Sequence, residues 1–126
     1  MTAAWATVRK GGCIIMLARS NDGHGGAAFH RTFKEEKDLG RMMRKFLDTP
    51  KEDTIVDQWQ SQVFARVLQK AAVIYVSEAP DEVVRDLHMV PARSVEEAVK
   101  IAEGRLDNPN ATITAIPDGI SVMLVE

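Results

Sequence analysis

The residues best equipped for chemistry fall in two places. The first is Asp22-Gly23-His24-Gly25-Gly26, a glycine-rich loop that directly follows the apolar run Cys13 to Ala18. Backbone free of bulky side chains ahead of a helix start aims amide groups at a phosphate or carboxylate, so Asp22, Gly23 and Gly25 are candidate anion or domain contacts. A simple tight turn is the alternative. The spacing is not the dinucleotide fingerprint, because its third glycine would fall at Ala28. The second place is Asp57-Gln58-Trp59-Gln60. Two amides flanking a tryptophan offer hydrogen-bond donors and an aromatic wall to a small polar ligand. Helical periodicity offers a different reading, in which Trp59 shares a core face with Val56 and Val63 and the glutamines are solvated.

The remaining reactive types supply no catalytic set. His24, His30 and His88 lack the pairing of a metal site. Cys13 sits inside an apolar run and reads as a small buried hydrophobe in a reducing compartment. No serine occupies a nucleophile elbow, and no Cys-His pair suggests thiol catalysis. No catalytic residue and no metal ligand is therefore assigned to this chain.

The elements that must position these residues are organised around the stretch from Asp53 to Ser77. Ile55, Val56, Trp59, Val63, Val67 and Leu68 recur at three- and four-residue steps, which predicts a helix of about five turns, capped by Asp53 or Thr54. Ala72 to Val76 follows as a short β-branched strand of the kind buried on both faces of a parallel sheet. Ahead of it, Thr2 to Lys10 reads as a helix stopped at Gly11-Gly12, Cys13 to Ala18 as a strand, and Ala27 to Phe33 and Lys37 to Leu47 as helices. After it come a short helix opened by Ser77 to Asp81, a minimal strand at Met89-Val90, and a helix begun by the capping box Ser94…Glu97. Ala111 to Ile116 and Ile120 to Val125 read as a hairpin joined by Pro117-Asp118-Gly119.

At 126 residues and 45% hydrophobic content the chain suits one α/β domain spanning 1–126. The expected fold has three layers and is Rossmann-like, with a mostly parallel sheet of four to five strands and a C-terminal hairpin. Its ligands would bind beyond the carboxyl ends of the strands. A net charge of -2 with interspersed signs disfavours nucleic acid and anionic membrane as partners. No apolar run reaches the roughly 20 residues needed to span a bilayer, and no signal-peptide layout precedes Trp5, so a cytoplasmic location is expected.

Several stretches together resemble the C-terminal domain of the nickel-dependent lactate racemase family. They are Gly11-Gly12-Cys13-Ile14-Ile15, Ser20-Asn21-Asp22-Gly23-His24-Gly25 with Phe29 behind it, Asp57-Gln58-Trp59-Gln60-Ser61-Gln62, and Pro117-Asp118-Gly119-Ile120-Ser121-Val122. Their order and spacing match as well as their letters, over essentially the whole chain.

The resemblance implies a two-domain enzyme that interconverts the enantiomers of lactate or a related 2-hydroxy acid through a lysine-tethered nickel-pincer nucleotide. The tethering lysine, nickel histidine and catalytic histidines belong to the N-terminal domain, and none is matched here. The C-terminal domain closes over the cleft. Its substrate-binding Gln and Lys would lie immediately upstream of Met1. The family's cleft tryptophan matches Trp59, with Gln58 beside it, and the Asp22 to Gly25 loop would face the same cleft or the partner domain. The implied cofactor therefore belongs to the full-length enzyme and not to this chain alone. The implied partners are the N-terminal domain of the same protein, the hydroxy acid, and a second copy through an apolar patch near Trp5 or Trp59. A stand-alone, non-enzymatic module that binds a small anion or a protein is the competing reading.

Overall fold

The computed structural model describes residues 1–20, 26–55, 58–108 and 110–119. Three apolar runs form parallel strands, β1 (Cys13–Leu17), β2 (Ala72–Val76) and β3 (Val90–Ala92), in the spatial order β1-β2-β3. Cys13 is level with Ala72, Leu17 with Val76, and Ile74 with Val90. Among the described residues β3 has β2 as its one neighbour, an edge position of the kind that tolerates Pro91. Among the described residues six α-helices surround the sheet: α1 (Thr2–Thr7), α2 (Ala27–Glu35), α3 (Leu39–Asp48), α4 (Gln58–Lys70), α5 (Asp81–Asp86) and α6 (Val95–Leu106).

Alternation along the strands produces two cores. Ile14 and Val73 point to one face, where α2 to α5 contribute Phe33, Met42, Phe46, Phe64, Ala65, Val67 and Val84, and α1 adds Met1 and Ala4 at the margin. Cys13, Ile15, Ile74 and Val76 point to the other face, covered by α6 through the small side chains of Ala98 and Ala102. The result is a three-layer α/β arrangement. Phe29, Phe33 and Phe64 form its aromatic centre, with ring centroids 5.0 to 5.6 Å apart.

Local signals explain most boundaries. Thr7 turns its hydroxyl back to the Ala4 carbonyl as α1 ends, and Gly11 takes a left-handed φ of 80° before β1. The Gly11 amide donates to the Lys70 carbonyl and the Ala72 amide to the Gly12 carbonyl, stitching the amino ends of β1 and β2 together. Asp38 caps α3 by accepting the Arg41 amide at 2.9 Å, and that bond holds its carboxyl below the ordinary value. Ser94 accepts the Glu97 amide at 3.2 Å and starts α6 where the capping box predicts.

The structure departs from the sequence expectations in three ways. Among the described residues the sheet has three strands, not four to five. Ala111 to Ile116 alternates as a strand should, yet among the described residues it pairs with no strand, and residues 112–115 are exposed. Ile120 to Val125, the second arm of the expected hairpin, lies outside the described residues.

The central helix also begins later than expected. Lys51–Asp53 forms a single 3₁₀ turn after Pro50, and the Thr54 hydroxyl bonds back to Pro50 rather than capping α4.

Finally, α4 is rotated from its expected orientation. Its buried residues are Gln58, Ser61, Phe64, Ala65 and Val67, whereas Trp59 is 65% and Val63 36% exposed. At 100° per residue these two lie nearly opposite the Ser61–Phe64–Ala65 side. Burying Phe64 against Phe29 and Phe33 turns the helix, and the Ile55–Trp59–Val63 stripe faces outward as a consequence.

Candidate functional site at the carboxyl end of the sheet

In an open parallel sheet the strand ends present loops to a common crevice. Here the chain leaves β1 through Ala18, Arg19 and Ser20, and leaves β2 through Ser77, Glu78 and Ala79. The Ala18 amide continues the β1–β2 ladder by donating to Val76. Ser20 then takes a φ of 62°, uncommon for a residue other than glycine. Its hydroxyl shares a hydrogen bond of 2.5 Å with the half-buried phenol of Tyr75. Because Met16 is level with Tyr75, a residue 55 positions further along the chain defines how the β1 exit is held.

The β2 exit is held by Arg93, which follows β3. Its guanidinium donates to the carbonyls of Ser77 at 3.1 Å and Ala79 at 3.2 Å, and pairs with Asp81, which also receives Arg85. The Arg93 amide donates to Glu97 at 2.7 Å. Arg93 thus ties the β2 exit to the start of α5 through its guanidinium and to the start of α6 through its backbone amide.

Since α4 ends immediately before β2, its amino end lies toward the same carboxyl side. The two residues singled out there part company. Trp59 projects from the protein beside exposed Ile55. Gln58 is buried, and its side-chain amide donates to the Phe46 carbonyl at 3.4 Å. Asp22, Gly23 and Gly25 lie outside the described residues. Trp5 is less exposed than Trp59 and carries the Lys70 ammonium 5.1 Å from its ring centroid. An open cavity of about 330 Å³ between Lys10 and Ala72 lies at the opposite, amino end of the sheet.

The two described histidines serve the framework. His88, at φ 60°, places Nε2 2.8 Å from the Phe33 carbonyl and packs edge-on against the Phe33 ring. His30 Nε2 lies 3.0 Å from Asp86, whose carboxylate also faces Lys34 at 3.1 Å and Lys37 at 3.9 Å. Burial pushes the Asp86 carboxyl up. The hydrogen bond from Lys34, with the charges of Lys34, His30 and Lys37, outweighs burial and leaves it below its ordinary 3.8. Burial raises the Cys13 thiol, opposed in part by Arg105, as suits a packing residue rather than a nucleophile.

A pH prediction follows for Asp86. A carboxyl whose folded pKa is depressed stabilises the fold above its unfolded value and loses that contribution as pH falls through the folded value. Asp86→Asn is expected to unfold at lower urea concentration than the parent at neutral pH. The gap should narrow as pH drops below about 4. A gap of constant size at every pH would sink this account.

Among the described residues no three His, Cys, Asp or Glu side chains are grouped to hold a metal ion. No described helix is long and apolar enough to cross a membrane.

Comparison with known proteins adds the family. The profile described as "Lactate racemase C-terminal domain" matches residues 1–124. The lactate racemase of Thermoanaerobacterium thermosaccharolyticum is 44% identical over 127 residues, covering 100% of this chain and 30% of that protein. The lactate racemase of Lactiplantibacillus plantarum is 40% identical over 125 residues, covering 98% of this chain and 29% of that protein. The solved lactate racemase apoprotein from T. thermosaccharolyticum superposes with a TM-score of 0.94 over the whole chain and 30% of its own length. The chain thus spans about 30% of these relatives. In sequence throughout its length, and in backbone as well, the chain belongs to the family of lactate racemase C-terminal domains.

Proposed function

We propose that this chain is the cleft-closing domain of a racemase acting on lactate or a related 2-hydroxy acid, and that it turns over nothing without the N-terminal domain. One observation supports the reading above the rest. Trp59, a large aromatic at the carboxyl end of the fold, projects away from its own core. Such exposure has little use to a solitary domain and suits a surface that another domain covers.

In this reading Trp59 forms an apolar wall over the substrate and excludes water when the domains close. The described residues do not fit a nickel site of their own, so the nickel-pincer nucleotide implied by the resemblance would reside on the N-terminal domain. The Asp22 to Gly25 loop, following β1, would meet the cleft or the partner domain. The Ile55–Trp59–Val63 stripe is also where two isolated copies would pair.

The test compares this chain alone with the two-domain protein carrying its cofactor, each given L-lactate and analysed for D-lactate. Racemisation by the two-domain protein only is the expected result. Failure of the loaded two-domain protein to racemise lactate or other short 2-hydroxy acids would overturn the proposal. Saturable lactate binding by the isolated chain, without turnover in either form, would instead favour the stand-alone binding module.

A further inference from the structure

Gln58 is an unusual residue to find 6% exposed, since glutamine is ordinarily a surface residue and its buried carboxamide is costly without a partner. Its neighbours in type, Gln60 and Gln69, are exposed. The partner Gln58 finds is informative. Phe46 lies in the last turn of α3, where carbonyls have no intrahelical donor, and the adjacent Lys45 carbonyl is taken by the Thr49 hydroxyl at 2.7 Å. The Gln58 side chain therefore closes the end of α3 while belonging to the first turn of α4. Its own amide donates to the Ile55 carbonyl at 3.2 Å, so the same residue also secures the approach to the helix.

Consecutive helical residues are 100° apart, and an inward Gln58 dictates where Trp59 points. Further along, Phe64 and Ala65 hold the rotation by packing. The first turn is where helices fray, and there the described tether to α3 is the Gln58 amide. We infer that Gln58 is a positioning residue for Trp59: its buried carboxamide, bonded to the Phe46 carbonyl, fixes the first turn of α4 so that the Trp59 ring is presented outward at one orientation. The catalytic consequence rests on the proposed racemase function. The structural part does not.

The chain's two tryptophans make a direct reading possible. In a Trp5→Phe background Trp59 is the sole indole emitter. Gln58→Met keeps the length of the side chain and removes the donor; Gln58→Glu keeps the acceptor and also removes the donor. Both are expected to lower the fluorescence anisotropy of Trp59 and raise its quenching by acrylamide, with the far-UV circular dichroism of a folded chain retained. Unchanged anisotropy and quenching in a folded variant overturn the inference. Should one variant fail to fold, the other decides.

In the two-domain protein, Gln58→Met is expected to lower kcat/KM roughly fivefold, the equivalent of one ordinary hydrogen bond. The same change should cost nothing further once Trp59 is phenylalanine, because coupled residues are not additive. An equal loss in both backgrounds would show that Gln58 does not act through Trp59. A Trp59→Phe protein with undiminished turnover would remove the catalytic reading while leaving the fluorescence result to judge Gln58.

Discussion

Phe33→Ala is expected to lower the unfolding free energy by about 3–5 kcal/mol, a substantial fraction of the roughly 5–15 kcal/mol that stabilises a domain of this size. Phe33 has no exposed surface. Its ring lies 5.0 Å from those of Phe29 and Phe64, and 5.9 Å from the imidazole of His88. It joins α2, α4 and the α5–β3 connection at one point. Truncation leaves a cavity bordered by rigid rings on three sides, which neighbouring side chains cannot fill without leaving their rotamers. The loss includes edge-on aromatic contacts as well as apolar area. Urea unfolding of parent and variant measures it directly. A difference below about 1 kcal/mol would mean that the cluster relaxes and is not the centre of the fold.

Trp59→Ala is expected to behave in the opposite way. In the isolated chain the urea midpoint should scarcely move, because most of the indole is already in water and the helix is anchored by Phe64, Ala65 and Val67 on its other side. In the two-domain protein turnover should fall about 100-fold, the scale of loss when a group that orients substrate is removed or displaced. Trp59→Phe, which preserves an aromatic wall of smaller reach, should lose less. The contrast between the two assays is the diagnostic. A core tryptophan would destabilise the isolated chain on truncation, and an ornamental surface tryptophan would leave both assays untouched. Either pattern would sink the role proposed for Trp59.

The distinction between these two aromatics could not be drawn from spacing. Phe29 and Phe33 lie one helical turn apart on α2, and their ring centroids are 5.0 Å apart. For Trp59, periodicity points to the core with Val56 and Val63, and the family resemblance points to the cleft. The helix presents two apolar stripes, Ile55–Trp59–Val63 and Phe64–Ala65–Val67–Leu68, and a count of apolar steps does not say which of them meets the sheet. Similarly, Tyr75 is hidden inside the apolar run Ala72 to Val76, so its bond to Ser20 becomes visible only when β1 and β2 are in register. Arg93 looks like any charged residue ahead of a helix until the loop after β2 folds against it.

The signals legible in the sequence are local. Strands β1 and β2, helix α6 with its Ser94 cap and the turn at Gly11-Gly12 are signalled by propensity and side-chain pattern within a few residues, and their alternation points to the parallel α/β class. The order and spacing of the Gly11–Ile15, Ser20–Gly25, Asp57–Gln62 and Pro117–Val122 stretches also indicate the family that the comparisons bear out. The rotation of α4, the inward Gln58 and the outward Trp59 emerge only when the helices and the sheet pack together. Each of these depends on competition between distant surfaces for the same buried volume. Aromatic packing around Phe33 outweighs the claim of Trp59 to the core.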